Sequence, residues 1–86
     1  MQNYPNPFNP VTKMRYTLPF TADVSIKVYD LFGREVVVLV NEKKESGMYE
    51  VMWNAIGYAS SVYYARLNVS GGGGNTVRTV KLLLIK

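Results

Sequence analysis

The chain has 86 residues, 48% of them hydrophobic and 13% aromatic, with a net charge of +4 and neither cysteine nor histidine. That length bounds it to a single domain, residues 1–86, near the small end of what folds alone. Without cysteine there is no disulfide framework or thiolate metal site, and without histidine the commonest general base and metal ligand is missing.

The opening Tyr4-Pro5-Asn6-Pro7-Phe8-Asn9-Pro10 holds three of the four prolines. Proline fixes φ, removes a backbone donor and pushes the residue before it toward extended conformations. The segment is therefore neither a helix nor a central strand. It is expected to be a stiff strap, residues 1–11, across the end of a β-fold formed by residues 12–86, with Tyr4 and Phe8 available to plug apolar gaps.

Thr12–Leu18 alternates, with Met14, Tyr16 and Leu18 on one face, and reads as a half-buried strand ended by Pro19. Val24–Asp30 repeats the pattern with Val24, Ile26 and Val28 inward. Asp30-Leu31-Phe32-Gly33-Arg34 reads as a tight turn, because Asp bonds backbone two residues on and Gly33 supplies a positive φ. Glu35–Val40 is too continuously apolar for simple alternation, so it is either buried on both faces or bulged. Asn41–Ser46 is expected to be a polar loop. Gly47 opens a strand that places Tyr49, Val51 and Trp53 on one face.

Asn54–Ser61 is a connection, and Val62–Val69 directs Tyr63, Ala65, Leu67 and Val69 to one side. Ser70–Asn75, rich in glycine, is expected to be a flexible loop, followed by a last strand Thr76–Ile85. Roughly six to seven short strands without helical period indicate an all-β, immunoglobulin-like antiparallel β-sandwich. Trp53 is its expected central plug.

The candidate functional residues lie in the last strand and the first turn. With Val80, Leu82 and Leu84 inward, Leu83 and Ile85 face outward beside Lys81 and Lys86, and an edge strand of this kind can pair with a receptor through its main chain. The alternatives are a central strand covered on both faces, or simply a frayed tail. Asp30, Gly33 and Arg34 either contact a partner at the loop tip or simply shape the turn. Tyr29, Tyr58 and Tyr64 offer a weaker possibility, a sugar-stacking face. The acids lack calcium-loop spacing and Ser60-Ser61 lacks nucleophile-elbow glycines, so no catalytic, metal or cofactor site is expected. The ten Lys and Arg are dispersed, unlike the stripe that nucleic acid requires, and no apolar run approaches the ~20 residues of a transmembrane helix. No charged-then-apolar leader opens the sequence.

Several stretches together resemble one family. They are Asn3-Tyr4-Pro5-Asn6-Pro7-Phe8-Asn9-Pro10, Met14–Pro19, Val28–Val36, Ser46–Trp53, Ser60–Tyr63 and Lys81–Lys86. The chain resembles the type A C-terminal sorting domain (the Por secretion system C-terminal sorting domain) of proteins exported by the type IX secretion system of Bacteroidetes. It is also similar to the immunoglobulin-like domain of flagellar hook-capping proteins, through the Asp-Gly turn and through Gly47, Tyr49 and Trp53.

The first resemblance implies a non-catalytic signal at the C-terminus of a larger secreted cargo. Its partners would be the secretion machinery, met in the periplasm, and a sortase-like peptidase at the outer membrane, with delivery to the cell surface or medium. Recognition is expected at Lys81, Leu83, Ile85, Lys86, Asp30, Gly33 and Arg34, on a frame held by Pro7, Phe8, Pro10, Gly47, Tyr49, Trp53 and Tyr63. The alternative reading is a structural or carbohydrate-binding accessory module of the hook-cap type. Ser61 departs from the family pattern, which has glycine there. If that turn needs a positive φ, serine costs on the order of 1 kcal/mol.

Overall fold

The period-two alternation of the sequence becomes seven strands in the computed structural model, which describes residues 2–85 and has no helix among them. They are β1 (Gln2–Tyr4), β2 (Val11–Leu18), β3 (Ala22–Tyr29), β4 (Glu35–Lys44), β5 (Gly47–Asn54), β6 (Ser61–Gly71) and β7 (Gly74–Leu84). One sheet has the order β1-β2-β5 and the other β4-β3-β6-β7, with every strand pair antiparallel. The two sheets form a β-sandwich in which β4 hairpins directly onto β3.

Alternation decides what lies between the sheets. Met14, Tyr16 and Leu18 of β2 are buried, as are Val24, Ile26 and Val28 of β3 and Tyr63, Ala65 and Leu67 of β6. β5 contributes Trp53, and β7 contributes Leu82 and Leu84. Trp53 is the aromatic hub: its ring lies 5.6 Å from Phe8, 5.3 Å from Tyr63 and 5.4 Å from Tyr58, centroid to centroid. Tyr63 donates its hydroxyl hydrogen bond to the Ala59 carbonyl at 2.7 Å. This is the tyrosine corner that steadies immunoglobulin-like sandwiches at the entry to the sixth strand.

Several expectations change. Asn41–Ser46 is not a loop: β4 runs on to Lys44, because Asn41, Glu42, Lys43 and Lys44 pair with Ser25, Val24, Asp23 and Ala22. Polar and charged residues are at home on this strand because it is a sheet edge. The apolar half of β4 is bulged, with Leu39 and Val36 skipped in the register against β3. Nor is Ser70–Asn75 a slack loop. Gly71 pairs with Gly74 around a two-residue turn in which Gly72 and Gly73 both have positive φ, 58° and 87°. That is the combination a tight hairpin of matching twist demands.

Tyr4 plugs nothing. It lies in β1 and is exposed, whereas Phe8 is buried. Tyr58 is not on an outer face either. It is edge-on to Trp53 and Tyr63, and its hydroxyl donates to the Val36 carbonyl at 3.3 Å. Ser61 simply opens β6; no described non-glycine residue has a positive φ, so the strain considered for it does not arise.

Candidate recognition surface

β7 is an edge strand, but its last third is already partnered. The Phe8 amide donates to the Leu83 carbonyl at 3.0 Å, and the Ile85 amide donates to the Phe8 carbonyl at 3.0 Å. This is one rung of a parallel ladder, formed by the strap on the outer edge of β7. The next rung toward the hairpin is made by a side chain. Asn6 Nδ2 donates to the Lys81 carbonyl at 3.3 Å, and Asn6 Oδ1 accepts from the Leu83 amide at 2.9 Å.

The carboxamide of Asn6 thus stands where its own peptide group would sit in a continuous strand. Asn6 is held between two prolines, whose rings fix φ at Pro5 and Pro7 and so limit how the strap can follow the strand. The strap is tied at both ends. The Thr12 hydroxyl donates to the Pro5 carbonyl at 2.9 Å, and the Pro10 carbonyl accepts from the Ala55 amide at 2.8 Å.

The main-chain donors expected at Leu83 and Ile85 are therefore not free to receive a partner. By the alternation of the β6–β7 ladder, the open part of that edge lies toward the hairpin, where Val77 and Thr79 turn their backbone outward. The side chains are another matter. Lys81 is exposed, Leu83 is half-buried and Ile85 is exposed. Lys86 lies outside the described residues.

The β3–β4 turn stands at the same end of the sandwich as Ile85, since Tyr29 of β3 pairs with Tyr64 of β6, and Ser61 of β6 with Leu84. Asp30 organises it. Its Oδ1 accepts from the Phe32 amide at 2.8 Å and the Arg34 amide at 3.0 Å, and its Oδ2 accepts from Arg34 Nε at 2.8 Å. The slight burial of the Asp30 carboxyl pushes its pKa up, but the Arg34 and Phe32 donors outweigh this and hold it below the ordinary range. Gly33 closes the turn with φ 80°. Asp30, Gly33 and Arg34 are therefore brought together as one rigid tip. Tyr63 lies close enough to feel it: burial first, then the negative charge of Asp30, raises the pKa of its phenol.

What this tip displays is apolar, and residue-by-residue reading missed it. Phe32 is 83% exposed and Leu31 58%, with the Arg34 guanidinium 5.2 Å from the Phe32 ring centroid. Ile56, in the β5–β6 connection at the same end, is 73% exposed. Sequence alone could have flagged them, since turn tips rarely spend bulky apolar side chains without use. Of the expected frame residues, Phe8, Trp53 and Tyr63 are core. Pro7 and Pro10 shape the strap, Gly47 opens β5 opposite Leu18, and Tyr49 stacks on Tyr16 at 5.4 Å.

A family model described as the secretion system C-terminal sorting domain matches residues 2–84 of this strap, sandwich and terminal strand. The chain belongs to that family. No curated protein and no solved structure matches it. As a type IX sorting domain it is a C-terminal secretion signal, of a kind that implies a larger N-terminal cargo, a secretion machinery and export to the cell surface or medium. Sorting-signal domains are in general non-catalytic.

Proposed function

We propose that this sorting domain directs a covalently attached N-terminal cargo from the periplasm through the type IX machinery. It does so by offering one end of its sandwich as the surface to be read. That end carries Lys81, Leu83 and Ile85 of the terminal segment, and Asp30, Gly33 and Arg34 from the rigid turn; Lys86, which follows them in the sequence, belongs to the same proposed signal. The domain catalyses nothing; it is a substrate, removed at the outer membrane by a sortase-like peptidase. The observation that carries this reading is the family match over residues 2–84. The exposed Leu31, Phe32 and Ile85, all at this end, support the choice of surface, because exposed bulky apolar side chains are what the core of an interface buries.

The test is a reporter fused ahead of this chain in a cell with type IX machinery. Removing Lys81–Lys86 is expected to trap the reporter in the periplasm, and its normal secretion would reject the sorting reading. That truncation also strips Leu82 and Leu84 from the core. The second variant, Phe32→Asp with Ile85→Asp, alters only exposed side chains. It is expected to fold and yet not be secreted; normal secretion of this variant would reject the surface.

A further inference from the structure

The smaller sheet is missing part of a strand. β2 has eight residues, but β1 covers it only from Lys13 to Arg15, so among the described residues β2 continues past the start of β1 through Tyr16, Thr17 and Leu18 with its outer edge unpaired. Across from that bare edge, the inner face of the larger sheet is bare as well. Val80, Leu82 and Leu84 of β7 point into the sandwich, and by the same alternation so do Thr76 and Arg78, yet both are exposed.

Between the two lies a groove of about 680 Å³, walled by Tyr16 and Leu18 and floored by Leu67, Val69, Thr76 and Arg78. Arg78 is part of no ion pair among the described residues, whereas Arg15 at the rim is engaged by Glu50 at 2.9 Å.

We propose that this groove receives the polypeptide joining Gln2 to the cargo, added to β2 as a continuation of β1. The inference rests on the sorting reading, which requires such a linker. Register selects the occupant. Gln2 pairs with Arg15 and Asn3 with Met14, so an unbroken strand sets the three positions before Gln2 against Tyr16, Thr17 and Leu18. At about 3.3 Å per residue they span roughly 10 Å. By the same alternation the position set against Leu18 faces inward, and an acidic side chain there would answer Arg78. No other segment of the chain has its register already fixed at the mouth of the groove.

Docking also decides where the cargo leaves. The linker would emerge at the end of the sandwich carrying the β2–β3, β4–β5 and β6–β7 turns, opposite the end with Ile85 and the Asp30 turn. The surface to be read is then kept clear of the cargo.

The experiment compares amide hydrogen exchange in the 86-residue chain and in the same chain extended by the residues preceding it in its parent gene. In the extended chain, the Tyr16–Leu18 amides that face away from β5 are expected to exchange about tenfold more slowly, as amides do on entering a ladder. Thr76→Trp fills the groove from an exposed position and is expected to abolish that protection, leaving exchange at Ile26 and Ala65 unchanged. Equal exchange in the two chains, or protection that survives Thr76→Trp, overturns the proposal. Protection that appears in the unextended chain and fades on dilution overturns it too, by assigning the groove to a second copy. Because the readout is exchange and not secretion, a reporter that is exported normally while its linker stays unprotected sinks this inference alone.

Discussion

Asn6 holds the Leu83 amide through its side-chain Oδ1 at 2.9 Å, across 77 residues of chain. With the Phe8 rung beside it, this bond converts an edge that would otherwise be open into a closed one, and it ties the proline strap to the terminal strand. The strap thus acts as an eighth, partial strand. Edge strands left bare invite unwanted pairing, and the strap covers the last third of this one.

Asn6→Ala removes both side-chain bonds to β7 while leaving the core untouched. At about 0.5–1.5 kcal/mol for each hydrogen bond, a loss of about 1–3 kcal/mol is expected. Urea unfolding measures it, and exchange at the Leu83 amide should accelerate more than exchange at Ala65. Equal acceleration at both would mean that the ladder is not what Asn6 stabilises.

Phe8→Ala and Trp53→Ala each leave a hole in one shared aromatic cluster. Each is expected to cost roughly 3–5 kcal/mol, enough to unfold much of a domain this small. Because the rings touch, the double variant should cost less than the two single costs combined, a coupling that a thermodynamic cycle reads directly.

Asp30 makes the turn sensitive to acid. Its pKa is lowered in the folded state, so its stabilisation is complete above the ordinary carboxylate value and is lost as pH falls through the lowered one. Stability should decline below about pH 4, and Asp30→Asn should flatten that decline while lowering stability at neutral pH. Thermal melts between pH 2 and pH 7 check the sign. Glu50, lowered by its bond from Arg15 and by Lys13, adds a slope of the same sign that the Asp30 variant leaves in place.

The β6–β7 hairpin separates two glycines. Gly72 sits at φ 58°, and a Cβ there would come within 2.8 Å of the Phe20 ring, so Gly72→Ala is expected to cost about 1–2 kcal/mol. Gly74 has no positive φ and open space around it, and Gly74→Ala is expected to be neutral or to stabilise by up to about 1 kcal/mol. Denaturant midpoints of the two variants should move in opposite directions or differ clearly in size.

Much of this fold was legible because the inward residues of β2, β3, β5 and β6 alternate without interruption. Met14 to Leu18 and Val24 to Val28 needed no other signal. The reading failed where pairing, not pattern, makes the strand. Gln2–Tyr4 carries no alternation and is a strand only because β2 offers it an edge. Asn41–Lys44 is polar throughout, yet it continues β4 because β3 lies beside it. Ser70–Asn75 is rich in glycine for conformation, not slackness.

At the candidate surface, the Asp30 turn could be worked out from its own five residues, since every bond in it is local. The Asn6–Leu83 bond could not, because nothing near either residue announces the other. That is why Leu83 and Ile85 were expected to offer free backbone and prove to be engaged.

The pairing of strap and terminal strand has a bearing on timing. Phe8 has no seat until Leu84 has been made, and Asn6 nothing to hold until Lys81 and Leu83 follow. Contacts so distant along the chain form late, after much loop entropy has been surrendered. A chain whose terminal strand has not yet docked therefore stays open at its aromatic centre, and the strap and β7 close it together.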